Sequence, residues 1–363
     1  MGNLIQHPAP GGHSIHFRGD TITFTLKNET GQKGKAWLRS NIGYAHVRHT
    51  EIIMHAEQGL PPLSRDWHDF PMKKKGDTFS ITLPLLGVGR FEAKAYFIAD
   101  GSKEIGWPEG GNSVLKVEPA ETCASNTMYT AFVRQFGDAK YHGAISEHDA
   151  HALTQLDHAG YTVIPKAGKF RDVIKELDFI VGHLRCKIIQ LLPIHPVPTT
   201  YGRMGRFGSA FAPLDLFDVD ASHAEFDKLT TPLEQFQELV DETHRRNARV
   251  YMDMPINHTG WGSYLQVNHP DWFERKENGK FKSPGAWGVE WSDLVELNHT
   301  HRELWHEMAE VFLFWCRKGV DGYRCDAGYM VPFEAWEYII AKVRMEYPDT
   351  VFMLEGLGGH KHV

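Results

Sequence analysis

Arg324 and Asp326 stand two residues apart in the stretch GVDGYRCDAGYMVP, which covers residues 319–332. The stretch is typical of a β-strand, and residues i and i+2 of a strand point to the same face. A buried charge is costly unless it is paired or takes part in chemistry. A charged pair in an otherwise apolar strand therefore indicates a site rather than ordinary core.

Two further carboxylates end strands of the same kind. Asp253 lies at the end of RVYMDM (249–254), and Glu355 ends VFMLE (351–355). Apolar strands that alternate with helices predict a parallel sheet covered by helices. Sites in such folds lie at the carboxyl ends of the strands. Three successive strands are therefore expected to bring a carboxylate each to one rim.

Asp326 and Glu355 are predicted to lie on neighbouring strands, which run about 4.8 Å apart. Their carboxyl groups could approach to roughly 5–5.5 Å, the separation that retaining glycosidases use for a nucleophile and an acid. Arg324 would keep Asp326 ionised and aimed. Because the acid must carry a proton, we expect this arginine beside only one of the two carboxylates.

Two other interpretations of these residues stay open at this point. Structural ion pairs would explain one aspartate at a strand end, but they explain three carboxylates and an arginine less well. Metal binding by the same carboxylates is the second alternative, although the pattern lacks the closely spaced oxygen ligands of a calcium loop.

Residues 1–122 are predicted to be an all-β domain, an immunoglobulin-like β-sandwich. Short alternating runs such as TITFTL, TFSITLPL and RFEAKAYFIA are separated by turn-forming clusters. The stretch EPAETCASNT is a plausible domain boundary. Trp67 and Trp107 in this domain could form a sugar-binding surface or belong to its core, and the sequence does not separate these readings.

Residues 123–363 follow a different pattern, in which strands and helices alternate. Thr231, Pro232 and Glu234 have the order of a capping box with proline in the first turn. The strands are expected at 128–136, 187–194, 249–254, 321–326 and 351–355. The helices are expected at 170–184, from 231 onward, at 301–318 and at 332–346.

Several motifs of this segment resemble the signatures of the α-amylase superfamily of glycoside hydrolases. DMPINH (253–258) resembles the first signature, GYRCDAGYM the second, and Glu355 in VFMLEG the third. LVELN (294–298) and the stretch 201–220 resemble two loop segments of the family. The resemblance covers about residues 125–363, and three of its phrases are similar to bacterial glycogen-debranching and amylo-glucosidase-type proteins.

The resemblance implies an α/β fold, with the N-terminal β-sandwich followed by the first part, about five strands, of a (β/α)8 TIM-type barrel. Residues 123–363 would form this partial catalytic barrel, with a long loop insertion at about 257–300. It also implies residue roles: Asp326 as nucleophile, Glu355 as general acid/base, Arg324 as support for the nucleophile, and Asp253, His258 and Tyr201 as substrate-binding residues.

The chain departs from the family pattern after the nucleophile. Many members carry a Lys-His pair three and four residues later, whereas this chain has Tyr329 and Met330. Asn257 and Glu296 fall where calcium ligands can lie in the family, and they are the only, weak, metal candidates. No cofactor is otherwise expected.

The sequence contains five predicted barrel strands, and strands six to eight with their His-Asp signature are absent. A five-stranded open barrel exposes an edge and apolar surface. We therefore expect the chain to be the N-terminal portion of a longer protein that lacks its C-terminal barrel half here. The portion alone is expected to be inactive.

The predicted function is that of a retaining glycoside hydrolase or transglycosylase that acts on an α-glucan or maltooligosaccharide. The alternative is a non-catalytic glucan-binding or scaffold protein with a half-barrel, which a natural stop at residue 363 would favour. Hydrolysis and transfer, and α-1,4 and α-1,6 linkages, stay open.

The net charge of −7, with no basic run, argues against a nucleic-acid partner. No stretch is apolar enough for a membrane span, and the four cysteines lack CxxC spacing. A cytoplasmic location is therefore expected.

Overall fold

The computed structural model describes residues 4–123, 127–140, 147–160, 167–198 and 207–356. The chain divides into two compact units. Residues 1–124 with 341–349 form the first unit, and residues 125–340 with 350–363 form the second.

The first unit contains two β-sheets. Its strands are β1 (Leu4–His7), β2 (His13–Phe17), β3 (Thr21–Asn28), β4 (Gly34–Ser40), β5 (His68–Pro71), β6 (Lys73–Lys75), β7 (Thr78–Pro84), β8 (Gly89–Ala99) and β9 (Ser113–Glu118). One sheet has the order β1-β3-β7-β6, and the other has the order β2-β9-β8-β4-β5.

One hydrophobic core lies between these two sheets. Phe24 and Phe79 reach it from the first sheet, and Leu38, Phe97 and Leu115 reach it from the second. Alternate residues of β3 are buried, as the period-2 pattern of a strand with one covered face requires. The alternating runs of the sequence therefore form strands with their apolar faces turned inward.

A helix interrupts this unit, so the all-β prediction for residues 1–122 is wrong over one segment. Helix α1 (Ala45–Gln58) follows β4 and ends at Gly59, whose φ of 69° is the left-handed conformation that glycine adopts readily. None of its side chains is fully buried. A helix without a buried face needs no apolar stripe in its sequence. Such a stripe is the signal by which a helix is usually recognised, and it is not clear here.

The second unit is built on a five-stranded parallel sheet. The strands are β10 (Met128–Ala131), β11 (Ile188–Leu191), β12 (Arg249–Pro255), β17 (Gly322–Asp326) and β18 (Val351–Leu354). They are hydrogen-bonded in this order, and every pair is parallel. The predicted order and direction of all five strands are confirmed, although β10 and β11 are shorter than expected.

Helices connect successive strands of the sheet. They are α2 (Glu147–His158), α3 (Phe170–Leu177), α4 (Pro232–Arg245), α5 (Tyr264–Asn268), α6 (Arg302–Arg317) and α7 (Phe333–Glu346). The predicted helix at 170–184 is α3 continued by a π-helical turn at 178–183. In the part of the chain that is described, no helix is long and apolar enough to cross a membrane.

Short strands lie between β12 and α6. They are β13 (His258–Gly260), β14 (Gly285–Ala286), β15 (Val289–Glu290) and β16 (Leu294–Glu296). β13 pairs antiparallel with β16, so His258 lies opposite Glu296. Gly260 is needed here because a Cβ would lie 2.5 Å from the Ala212 carbonyl oxygen.

The start of α4 gives a test of the capping box. The Thr231 hydroxyl accepts a hydrogen bond from the Glu234 N–H at 3.2 Å, and the Glu234 carboxylate accepts one from the Thr231 N–H at 2.6 Å. Thr231→Ala should lower the free energy of unfolding by about 1 kcal/mol, measured by urea denaturation. Thr231→Ser keeps the hydroxyl and is the matched control. Equal losses in both variants would contradict a capping role.

Candidate active site

The strand register places the predicted site residues at the carboxyl edge of the parallel sheet. Asp253 of β12 lies beside Arg324 of β17, and Pro255 lies beside Asp326. Cys325 lies beside Leu354 of β18, so Glu355 follows at the level of Asp326. Cys325 itself is buried on the opposite face, as expected.

Arg324 joins the three carboxylates. Its Nη1 donates to both Asp253 oxygens, at 2.9 and 3.1 Å, and to Asp326 Oδ1 at 2.6 Å. Its Nη2 lies 3.1 Å from Glu355 Oε1. Burial lowers the pKa of Arg324, but attraction to Asp253, Asp326 and Glu355 outweighs burial and raises it. The guanidinium therefore stays charged and holds the carboxylates together.

The expectation that Arg324 faces only one of the two central carboxylates is wrong. The i, i+2 relation within β17 identifies Asp326 as a neighbour, but it says nothing of the next strand. In the parallel register Glu355 lies within reach of the second nitrogen of the same planar guanidinium. The arrangement is one arginine with three acidic partners.

Ala327, which directly follows β17 and has a left-handed backbone, holds the second oxygen of Glu355. Ala327 has φ of 47°, and its backbone N–H donates to Glu355 Oε2 at 2.8 Å. A non-glycine residue rarely adopts this conformation. Both Glu355 oxygens thus have a partner within the protein.

Asp253 is the deepest of the three acids, since 1% of it is exposed. Burial raises the pKa of Asp253 to about 7, against the opposing effect of Arg324. Gln190 of β11 donates to its Oδ2 at 3.3 Å, and Thr130 of β10 donates to Gln190 at 3.2 Å. With Arg324 of β17, this polar chain crosses four adjacent strands.

Gln190 and Thr130 are members of the site that sequence reasoning missed. Gln190 interrupts the apolar run IIQLL, and a buried amide in a strand needs a partner. That irregularity was the available signal. Thr130 carried none, because threonine is common in strands.

His258 lies beside the acidic cluster and is fully buried. Its Nε2 donates to the Phe211 carbonyl oxygen at 2.8 Å, and burial lowers the pKa of the imidazole. His258 is therefore neutral at pH 7 and keeps Nδ1 as an acceptor. The Phe211 ring lies 6.0 Å from the Arg324 guanidinium carbon, which links the loop after β11 to the site.

Among the described residues, no cluster of acidic, histidine or cysteine side chains that could hold a metal ion surrounds Asn257 and Glu296. The buried Asn257 Oδ1 has no hydrogen-bond partner among the described residues, but Asn257 Nδ2 contacts the Met330 thioether at 3.2 Å. Glu296 lies 2.7 Å from Lys282 Nζ. Calcium takes six to eight oxygen ligands, whereas the described contacts of these two side chains are with a sulfur and an ammonium group.

Tyr201, predicted to bind substrate, lies outside the described residues. The other predicted site residues converge: Asp253, Arg324, Asp326 and Glu355 form one cluster, with His258 next to it.

The fold and the cluster define a carboxylate site at the carboxyl edge of a parallel α/β sheet. A family model described as the alpha amylase catalytic domain matches residues 131–353, more than half of the chain. The chain belongs to the α-amylase family.

Curated relatives carry the name alpha-1,4-glucan:maltose-1-phosphate maltosyltransferase. The one from Picrophilus torridus is 27% identical over 206 residues, which are 54% of this chain and 32% of the relative. The one from Chlorobaculum tepidum is 26% identical over 267 residues, 71% of this chain and 38% of the relative. The chain thus spans about a third of the length of these relatives.

Among solved structures, an alpha-amylase from Lactobacillus plantarum matches with 28% identity and a TM-score of 0.50. The match covers 63% of this chain and 45% of that one. With the family model over residues 131–353, it supports a (β/α)8-type α/β fold.

Asp253 should make stability depend on pH. Between its ordinary pKa of 3.8 and the folded value of about 7, the folded chain holds a proton that the unfolded chain has released. The free energy of unfolding should therefore fall as pH rises through this window. Asp253→Asn should lack this component, in urea denaturation measured from pH 4 to 8.

The exposed Asp271 provides the control. Asp271→Asn should follow the wild-type pH profile. If the difference between the wild type and Asp253→Asn stayed constant with pH, Asp253 would not titrate in this range.

Proposed function

We propose that the protein carrying this chain is a retaining glycoside hydrolase or glucanotransferase that acts on α-glucosidic bonds of starch- or glycogen-type glucans. The observation that carries this proposal is the meeting of Asp326 and Glu355 on one arginine, at the ends of adjacent strands in an α-amylase family segment.

Asp326 is the proposed nucleophile. Its carboxylate attacks the anomeric carbon while Glu355 protonates the oxygen of the leaving group, and a covalent glycosyl-enzyme forms. Arg324 orients Asp326 through the charge-assisted hydrogen bond at 2.6 Å.

Glu355 is the proposed acid and base. In the first step Glu355 gives its proton to the glycosidic oxygen. The oxygen that carries this proton must point at the substrate, so it must break its contact with Arg324 or with the Ala327 N–H. In the second step Glu355 takes a proton from water or a sugar hydroxyl, which attacks the anomeric carbon and frees Asp326. Two inversions give net retention.

Asp253 and His258 are proposed substrate-binding residues of the same site. His258 Nδ1 can accept a hydrogen bond from a sugar hydroxyl, since its Nε2 is already used. Asp253 forms an ion pair with Arg324 and so helps to hold the guanidinium beside Asp326 and Glu355. Tyr201 is proposed to stack on the same sugar.

The domain plan belongs to the proposal too. Residues 1–122 form an immunoglobulin-like β-sandwich domain, and residues 123–363 form the first five strands of a (β/α)8 catalytic barrel with its insertion at about 257–300. A cytoplasmic location is proposed with it.

The donor is proposed to carry an α-linked glucosyl or maltosyl group. The names of the relatives make maltose 1-phosphate the first donor to test, with a maltooligosaccharide as acceptor. Maltoheptaose alone, with water as acceptor, tests hydrolysis in the same assay.

Asp326→Asn should lower the turnover of every substrate by about 10⁴-fold or more, because an amide cannot attack the anomeric carbon. Glu355→Gln should slow donors with poor leaving groups by about 10²–10⁴-fold. It should spare the first step with an α-glycosyl fluoride, because fluoride needs little protonation. Product analysis on the whole protein and mass spectrometry of the trapped enzyme measure these effects.

Glu346→Gln, on an exposed residue in the last turn of α7, is the control for Glu355→Gln and should behave like the wild type. Fluoride turnover that survives Asp326→Asn but not Glu355→Gln would reverse the two roles.

The product of the wild-type enzyme should keep the α-configuration, because two displacements occur at the anomeric carbon. Proton NMR of the anomeric signal in the first minutes of reaction measures this, before mutarotation mixes the anomers. A β-configured first product would rule out the double displacement.

A further inference from the structure

A pocket of about 420 Å³ lies on the first unit, outside the acidic cluster. Its lining residues come from β4, β8 and two loops: Arg39, Ser64, Trp67, Lys94, Trp107 and Asn112. The volume lies in the range of small-molecule sites. A lining of two indole rings and four polar side chains suits a ligand with both apolar faces and hydroxyl groups.

Trp107 is held in place while much of its ring stays in solvent. Trp107 is 39% exposed, and its ring lies 4.9 Å, centroid to centroid, from that of Tyr96, which stacks on Trp37 at 5.5 Å. Two backbone hydrogen bonds, at 2.9 and 2.8 Å, join Phe97 to Gly106, the residue before Trp107. The ring is thus ordered before any ligand arrives, which lowers the entropy cost of binding.

The loop that presents Trp67 is fixed by buried and charged partners. Asn41 donates to the buried Asp66 carboxylate at 3.0 Å. The Glu51 carboxylate accepts from the backbone N–H groups of Ser64 and Arg65, at 2.9 and 3.2 Å. Trp67 also directly precedes β5, which pairs with β4, so these contacts and the strand together set its position.

The polar groups of the pocket are fixed too, and their charges are largely balanced. Arg39 donates to both oxygens of Asp69, at 2.9 and 2.7 Å. Asn112 donates to Glu92 at 2.8 Å, and Lys94 lies 5.9 Å from the Trp107 ring centre. With Arg39 paired, the pocket lacks the clustered cations that select phosphate groups. A neutral ligand rich in hydroxyls fits it better.

We propose that this pocket binds a chain of α-linked glucose units, separately from the catalytic site. Indole faces can cover the C–H faces of pyranose rings, and Lys94, Asn112 and Ser64 can bond their hydroxyls. A proline-rich peptide also stacks on aromatic residues, but it has few groups to pair with three polar side chains. The α-linkage of the ligand rests on the proposed function.

The test uses the whole protein with Asp326→Asn, so that bound glucan is not consumed. Incorporation of 5-fluorotryptophan gives a ¹⁹F NMR signal for each tryptophan, assigned by substitution. β-Cyclodextrin should shift the signals of Trp67 and Trp107, while the fully buried Trp315 stays unmoved. Calorimetry with β-cyclodextrin, maltoheptaose, cellohexaose and a proline-rich peptide gives the affinities.

Trp67→Ala and Trp107→Ala should each weaken β-cyclodextrin binding by about tenfold or more. Trp107→Tyr keeps a ring and should stay within about threefold of the unsubstituted protein. Lys94→Met keeps the stem over Trp107 and should weaken binding by loss of its donor alone. Phe226→Ala is the control, since Phe226 is 94% exposed in the second unit. Thermal unfolding reports whether each variant is folded.

Unchanged affinity in both alanine variants, or no shift of either tryptophan signal, would overturn the proposal. Tighter binding of cellohexaose or of the peptide than of maltoheptaose would overturn the choice of ligand. Either result would leave the proposed function intact if α-glucan turnover depends on Asp326. Conversely, tryptophan-dependent glucan binding without such turnover would support the pocket proposal and overturn the proposed catalysis.

Discussion

The carboxyl edge of the parallel sheet depends on the ion pairs that the Arg324 guanidinium forms. Three carboxylates from three adjacent strands converge on it, and one of them, Asp253, is almost completely buried. A buried carboxylate without a cation would cost several kcal/mol. One positive charge cannot balance three negative ones, and the raised pKa of Asp253 relieves part of the excess because that group can hold a proton near neutral pH. The cluster thus holds more negative than positive charge in a small volume. Such an excess perturbs pKa values, as is common at sites whose groups exchange a proton during a reaction.

Much of this arrangement could be predicted from the sequence. The parallel order of β10, β11, β12, β17 and β18 followed from apolar strands alternating with helices, and the capping box at Thr231 marked the start of α4. The rim position of Asp253, Asp326 and Glu355 followed from their places at strand ends. These predictions succeeded because each relied on a local rule with a clear period or a fixed spacing.

The remainder depended on relations across the fold. Contact between Arg324 and Glu355 requires the register of β17 on β18, which the residues of one strand do not encode. The Thr130–Gln190–Asp253 chain likewise runs across strands. Helix α1 was missed because it turns no fully buried face to the core, so packing gives its sequence no strong period. Sequence reasoning predicts which residues share a face of one element, while the neighbours of that face come from the tertiary structure.

The left-handed backbone of Ala327 has a consequence for engineering and for sequence variation. Any residue with a Cβ is strained in this conformation, because the Cβ crowds the following carbonyl group; asparagine tolerates the conformation, whereas a β-branched residue is strained most. The N–H that meets Glu355 would then turn away. A mutant library aimed at new specificity should therefore hold position 327 to alanine, glycine or asparagine. Diversity belongs instead at exposed positions of the β13–β16 insertion that lack a left-handed backbone, such as Val289.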